Sequence, residues 1–97
     1  MEVRIQAIHF EISERLTDFI NKKADRLARR YPDLTYFDAT LKVVKPETAK
    51  NKEVLVLVNV PGREDVVASK IADSFEEALD LSIEAVERQL EKMKDAK

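Results

Sequence analysis

Residues 10–31 read FEISERLTDFINKKADRLARRY. Ser13 is a good N-cap, because its hydroxyl accepts a hydrogen bond from an unpaired N–H of the first turn. Glu14 suits the positive end of the helix dipole. Leu16, Phe19, Ile20, Leu27 and Tyr31 then recur at helical spacing, and Pro32 stops the run. The pattern predicts a helix over about 14–30, with one apolar stripe that needs a surface to cover. The flanks supply one. EVRIQAI at 2–8 alternates, with Val3, Ile5 and Ala7 on one side, and YFDATLKVVK at 36–45 alternates with Phe37, Ala39, Leu41 and Val43. Period two is the mark of a strand. A helix between two strands is a crossover, so those strands can lie parallel with a right-handed connection.

Further along, EVLVLVNV at 53–60 is rich in β-branched residues and apolar on both faces from Val54 through Val58. Pro61-Gly62 signals a turn, and DVVASKIA at 65–72 reads as another strand. From Asp73 to about Lys94 a second helix carries Phe75, Leu79, Ile83, Val86, Leu90 and Met93 on one stripe, with Leu81 off it. The expected fold is α+β in the order β-α-β-β-β-α, a four-stranded sheet with both helices packed on one face. Residues 1–97 are expected to form a single domain, with no linker or repeat interrupting them.

The chain has 97 residues, 44% hydrophobic and 37% charged, with no Trp and no Cys. That composition fits one aliphatic core under a heavily solvated surface. The absence of cysteine excludes disulfides and thiolate metal sites and fits a reducing compartment. No basic, apolar leader opens the chain, and no apolar run reaches the roughly 20 residues of a membrane helix. The expectation is a soluble, cytoplasmic protein.

A net charge of −2 conceals strong segregation. Residues 15–30 hold six basic residues against two acidic; residues 73–91 hold seven acidic against one basic. On a wheel of about 100° per residue, Arg15, Lys22, Arg26 and Arg29 fall within roughly 60°, away from the apolar stripe. Lys23 and Arg30 flank the stripe and can snorkel outward. Arg88, Lys92 and Lys94 make the tail of the second helix basic, and Lys42, Lys45, Lys50 and Lys52 surround the middle loop. A basic ridge suits a polyanion, because lysine and arginine displace counterions from phosphates. A solvated helix face, with the basic end matching the macrodipole, is the alternative that charge alone leaves open.

Catalytic chemistry is not indicated. His9 is the single histidine, one glycine cannot build a phosphate-cradling loop, and Ser13 reads as a cap rather than a nucleophile. No enzyme activity, metal or cofactor is expected.

Three segments carry a resemblance. FEISERLTDFI at 10–20 resembles the opening helix signature of the ribosome hibernation-promoting factors, also called ribosome-associated inhibitor or protein Y. LKVVK at 41–45 is similar to that family's second strand, and ALDLSIEAVERQLEKMK at 78–94 to its lysine-rich second helix. The resemblance implies binding to the small ribosomal subunit, on rRNA in the channel used by mRNA and tRNA. Translation would be blocked sterically in stationary phase or stress. By residue match it implies rRNA-binding roles for Lys23, Arg26, Lys42, Lys45, Arg88, Lys92 and Lys94; the wheel adds Lys22, Arg29 and Arg30. Ala85 stands where relatives often have lysine, Thr17 where they can have arginine, and Phe75 one residue out of step with the usual aromatic. The chain reads as a short form, so ribosome dimerisation would need an accessory factor. Two other readings stay open. A protein-interaction module could dock a basic partner through Glu76, Glu77, Asp80, Glu84, Glu87 and Glu91. A general double-stranded RNA binder is the third.

Overall fold

The computed structural model describes residues 1–44 and 50–95, with side chains through Met93. Its elements are β1 (Glu2–Ala7), α1 (Glu14–Arg30), β2 (Tyr36–Val43), β3 (Lys52–Val58), β4 (Val66–Ala72) and α2 (Phe75–Asp95). They form one sheet in the order β1-β2-β3-β4, with β1 parallel to β2 and the other pairs antiparallel. The predicted α+β order, with the crossover and the meander, is the observed one.

Pairing places Val3 beside Phe37, Phe37 beside Val58, and Val58 beside Val66. Alternation then puts Phe37, Ala39 and Leu41 with Val54, Val56 and Val58 on the covered face, where all six are buried. α1 contributes Leu16, Ile20, Ala24 and Leu27 to this core, and α2 contributes Ala78, Leu79, Ile83, Val86 and Leu90. Full burial of each large side chain contributes about 1.5–3 kcal/mol. The opposite sheet face is open, with Leu55 and Leu57 half-buried and Val67 and Ile71 exposed.

Local chemistry sets the element ends. Ser13 Oγ accepts from the Leu16 N–H at 3.1 Å, the expected cap. α2 begins at Phe75 rather than Asp73, because Ser74 Oγ accepts from the Glu77 N–H at 3.1 Å and caps the helix there. β3 stops at Val58, short of the expected Val60. The Asn59 N–H donates to Tyr36 and its carbonyl accepts from Thr35, and then the chain turns. In that turn Arg63 N–H donates to Val60, with Gly62 at φ 76°, a left-handed conformation that glycine adopts without a Cβ clash. The second strand ends at Val43 instead of residue 45, its Val44 N–H donating to Asn51 across the loop.

Two contacts tie the helices in place. Phe10 and Phe75, one just ahead of α1 and the other opening α2, stack with ring centroids 5.1 Å apart. Buried Ser82 has its Oγ 2.8 Å from the carbonyls of both Ala78 and Val54, so its single proton joins α2 to its own helix or to β3.

Candidate nucleic-acid interface

Strand directions determine where the charges meet. β1 and β4 each feed a helix that returns over the sheet, so α1 and α2 run the same way. Lys23 lies 3.1 Å from Asp80, and Arg30 pairs with Glu87, the same offset of 57 residues one heptad later. The C-terminal ends of both helices therefore point to one end of the molecule.

On α1 the basic residues divide into two rows. Lys23 and Arg30 face α2 and are neutralised there: Lys23 by Asp80, Arg30 by Glu87 and, at 3.4 Å, by Glu91. Lys23 also lies over the Phe19 ring, and Arg30 over that of Tyr31. Lys22, Arg26 and Arg29, with Arg15 two turns before Lys22, form the outer row. All four are exposed, and among the described residues none has a carboxylate within salt-bridge distance. Between the helices runs an open groove of about 530 Å³. Arg26 and Arg29 stand on its α1 rim, Asp80, Glu84 and Glu87 form the α2 wall, and Leu27 and Ile83 lie between.

Arg88 and Lys92 are exposed on α2, near the end that the outer row of α1 approaches. They do not merge with that row. Asp80, Glu87 and Glu91 face α1, while Gln89 reaches the other way and donates to the Val67 carbonyl of β4 at 3.0 Å. Helical periodicity puts Lys92 on the Gln89 side and Arg88 on the crown, beyond the acidic row.

Lys42 lies elsewhere. It sits at the far end of β2 on the open sheet face, where it is paired across the ladder with Glu53 at 3.5 Å. Lys45 falls outside the described residues, as does the side chain of Lys94. Sequence reasoning missed Arg63. It lines an apolar notch with Arg30, Tyr31, Leu34, Leu90 and Met93, and so belongs to the basic end. The one local signal was a cation just past the Pro61-Gly62 turn; only the strand order brings that turn beside the helix ends.

Tyr31 closes α1. Its hydroxyl donates to Glu91 at 2.7 Å. Burial, then this bond and the Glu91 charge, push its pKa up to about 12. Tyr36, donating to Asp65, is raised as well. His9 is exposed and takes a left-handed φ of 62° in the bend ahead of α1. Among the described residues no group of three or more His, Cys, Asp or Glu is placed to hold a metal, and no helix is long and apolar enough to cross a membrane.

The sequence model of the Sigma 54 modulation protein / S30EA ribosomal protein family matches residues 3–97. The Ribosome hibernation promoting factor of Pseudomonas putida is 28% identical over 95 residues, covering 98% of this chain and 88% of the relative. A ribosomal subunit interface protein from Coxiella burnetii superposes with a TM-score of 0.84 at 22% identity, covering 98% of this chain and 99% of the other. The N-terminal domain of Thermus thermophilus Protein Y gives 0.78 at 22% identity, covering 96% and 99%.

Proposed function

The chain belongs to the Sigma 54 modulation protein / S30EA ribosomal protein family, and on that premise we propose that it is a ribosome hibernation factor. It binds rRNA of the small ribosomal subunit in the mRNA and tRNA channel and stops translation sterically during stress or stationary phase. The observation that carries this reading is the outer row of α1. Lys22, Arg26 and Arg29 are exposed and, among the described residues, have no carboxylate within salt-bridge distance; they lie in the C-terminal half of α1, toward the molecular end that also holds Arg88, Lys92 and Arg63. Cations in this state can displace phosphate counterions without first breaking an internal ion pair.

The sheet makes the inhibition mechanical. Its buried aliphatic core holds both helices as one rigid body, so a domain anchored by its cations excludes tRNA and mRNA by volume alone. Recognition rests on backbone phosphates and shape more than on bases, because few aromatic faces are exposed for stacking. The carboxylates of α2 suit a basic protein partner less well, since Asp80, Glu87 and Glu91 already hold Lys23 and Arg30.

Cosedimentation with purified small subunits tests the proposal. Binding is expected at low salt, weakening steadily as salt rises, and tRNA or mRNA bound in the channel should compete. The Arg26→Glu, Lys92→Glu double variant should lose most binding while keeping its thermal melt. Absent binding at low salt, or binding indifferent to salt, would overturn the reading.

A further inference from the structure

We propose that Asp80, Glu87 and Glu91 are specificity-determining residues of the RNA-binding surface. They hold Lys23 and Arg30 in internal ion pairs and disfavour phosphate in the interhelical groove, so that of the α1 cations only the outer row is left to RNA. This inference rests on the RNA-binding reading above.

Three features support it. First, the pairing is systematic. Both α1 cations that face α2 meet a carboxylate, through the parallel register of the two helices. Second, the pairs are oriented by further contacts. Tyr31 donates its hydroxyl to Glu91, which places that carboxylate beside Arg30, and Arg30 itself lies over the Tyr31 ring at 5.5 Å. Lys23 is set in the same way between Asp80 and the Phe19 ring at 5.2 Å. Third, the groove sets Asp80, Glu84 and Glu87 against Lys23, Arg26, Arg29 and Arg30. With Lys23 and Arg30 already paired, a phosphate entering past the Arg26 and Arg29 rim would meet Glu84 and Glu87 on the opposite wall. Like charge at such short range disfavours the anion even where each exposed ion pair is weak.

The consequence is discrimination. A flexible polyanion gains affinity by folding itself around every cation it can reach. Here it is denied two of them, because any strand that follows α1 inward runs into the α2 carboxylates. A rigid RNA surface shaped to the outer row loses nothing. The acidic helix thus suppresses indiscriminate RNA binding while leaving a shaped site accessible.

The probe is polyuridylate, which is flexible and single-stranded, with binding followed by fluorescence anisotropy across a salt series. The variants are Glu87→Gln/Glu91→Gln, Arg30→Ala, and the three changes together. Glutamine retains the size of the side chain and an acceptor for Tyr31. One released cation steepens the slope of log K against log salt by about 0.7 for a single strand, which is about fivefold tighter binding at 0.1 M salt. The double variant should show that gain, and Arg30→Ala should abolish it. Asp80→Asn, acting on Lys23 two turns away, should give a separate gain of the same sign. No gain in either arm, or an undiminished gain without Arg30, would overturn the proposal. Cosedimentation of the unaltered protein with small subunits separates the two claims. If it fails to bind, the ribosomal reading falls; if it binds while both poly(U) arms stay flat, only the masking falls.

Discussion

Replacing Arg26 and Arg29 together by alanine should weaken binding to small ribosomal subunits severely, whereas Lys42→Ala should leave it unchanged. Both arginines are exposed, and among the described residues neither has a carboxylate partner. Their removal therefore breaks no internal pair, and the fold should change by no more than about 0.5 kcal/mol. If each neutralises one phosphate, the slope of log K against log salt falls by about 0.7–0.9 per contact. Two contacts then cost about 25- to 60-fold in affinity at 0.1 M salt, by the same relation. Lys42 is at the other end of the sheet, on its open face and 3.5 Å from Glu53, so it has no share in that loss. Cosedimentation at four or five salt concentrations gives both affinity and slope for each variant, with circular dichroism confirming the fold. The reasoning is refuted if Lys42→Ala weakens binding as much as the double variant, or if the double variant retains the slope of the parent.

Three further outcomes follow from the fold. Ser82→Ala removes a buried hydroxyl that links α2 to β3; the expected loss is about 1 kcal/mol, or roughly 4–8 °C in melting temperature, and an unchanged melt would deny the link any weight. Tyr31 has a folded pKa of about 12 against an unfolded value of 10.0, so the folded state retains the phenolic proton longer. Its stabilising contribution is complete below pH 10 and is lost as pH climbs toward 12; a urea-melt series should show that decline in the parent and a shallower one in Tyr31→Phe. His9→Val, placing a β-branched residue at φ 62°, should destabilise the fold by about 1–2 kcal/mol in chemical denaturation, while His9→Gly should not.

The chain announces its elements because each has a clean period and a chemical stop. Ser13 caps α1 and Pro32 follows it, as read from the sequence. Where the pattern was ambiguous, only packing decided. Val54 to Val58 is apolar at every position, and the register with β2 buries the three valines and leaves Leu55 and Leu57 on the open face. Leu81, which fitted no stripe, is partly exposed on the outside of α2. The candidate interface was readable in part for the same reason. Helical spacing grouped Lys22, Arg26 and Arg29, because those neighbours are one turn apart. It could not reveal that Lys23 and Arg30 meet carboxylates 57 residues away, since that depends on two helices running parallel over a sheet. Alternation did set Lys42 opposite Leu41, on the open face, but it could not show that Glu53 lies beside it across the ladder.

The shared direction of the two helices has an effect that begins before any contact is made. Residues 11–21 and 73–84, in and just ahead of their leading halves, carry eight acidic side chains against one basic; residues 22–31 and 85–95, at the trailing ends, carry eight basic against four acidic. In the field of a large polyanion such a body experiences a torque and turns its trailing ends forward as it diffuses. Encounters then arrive in a productive orientation more often than chance allows, over a range that shrinks to about 8 Å at physiological ionic strength.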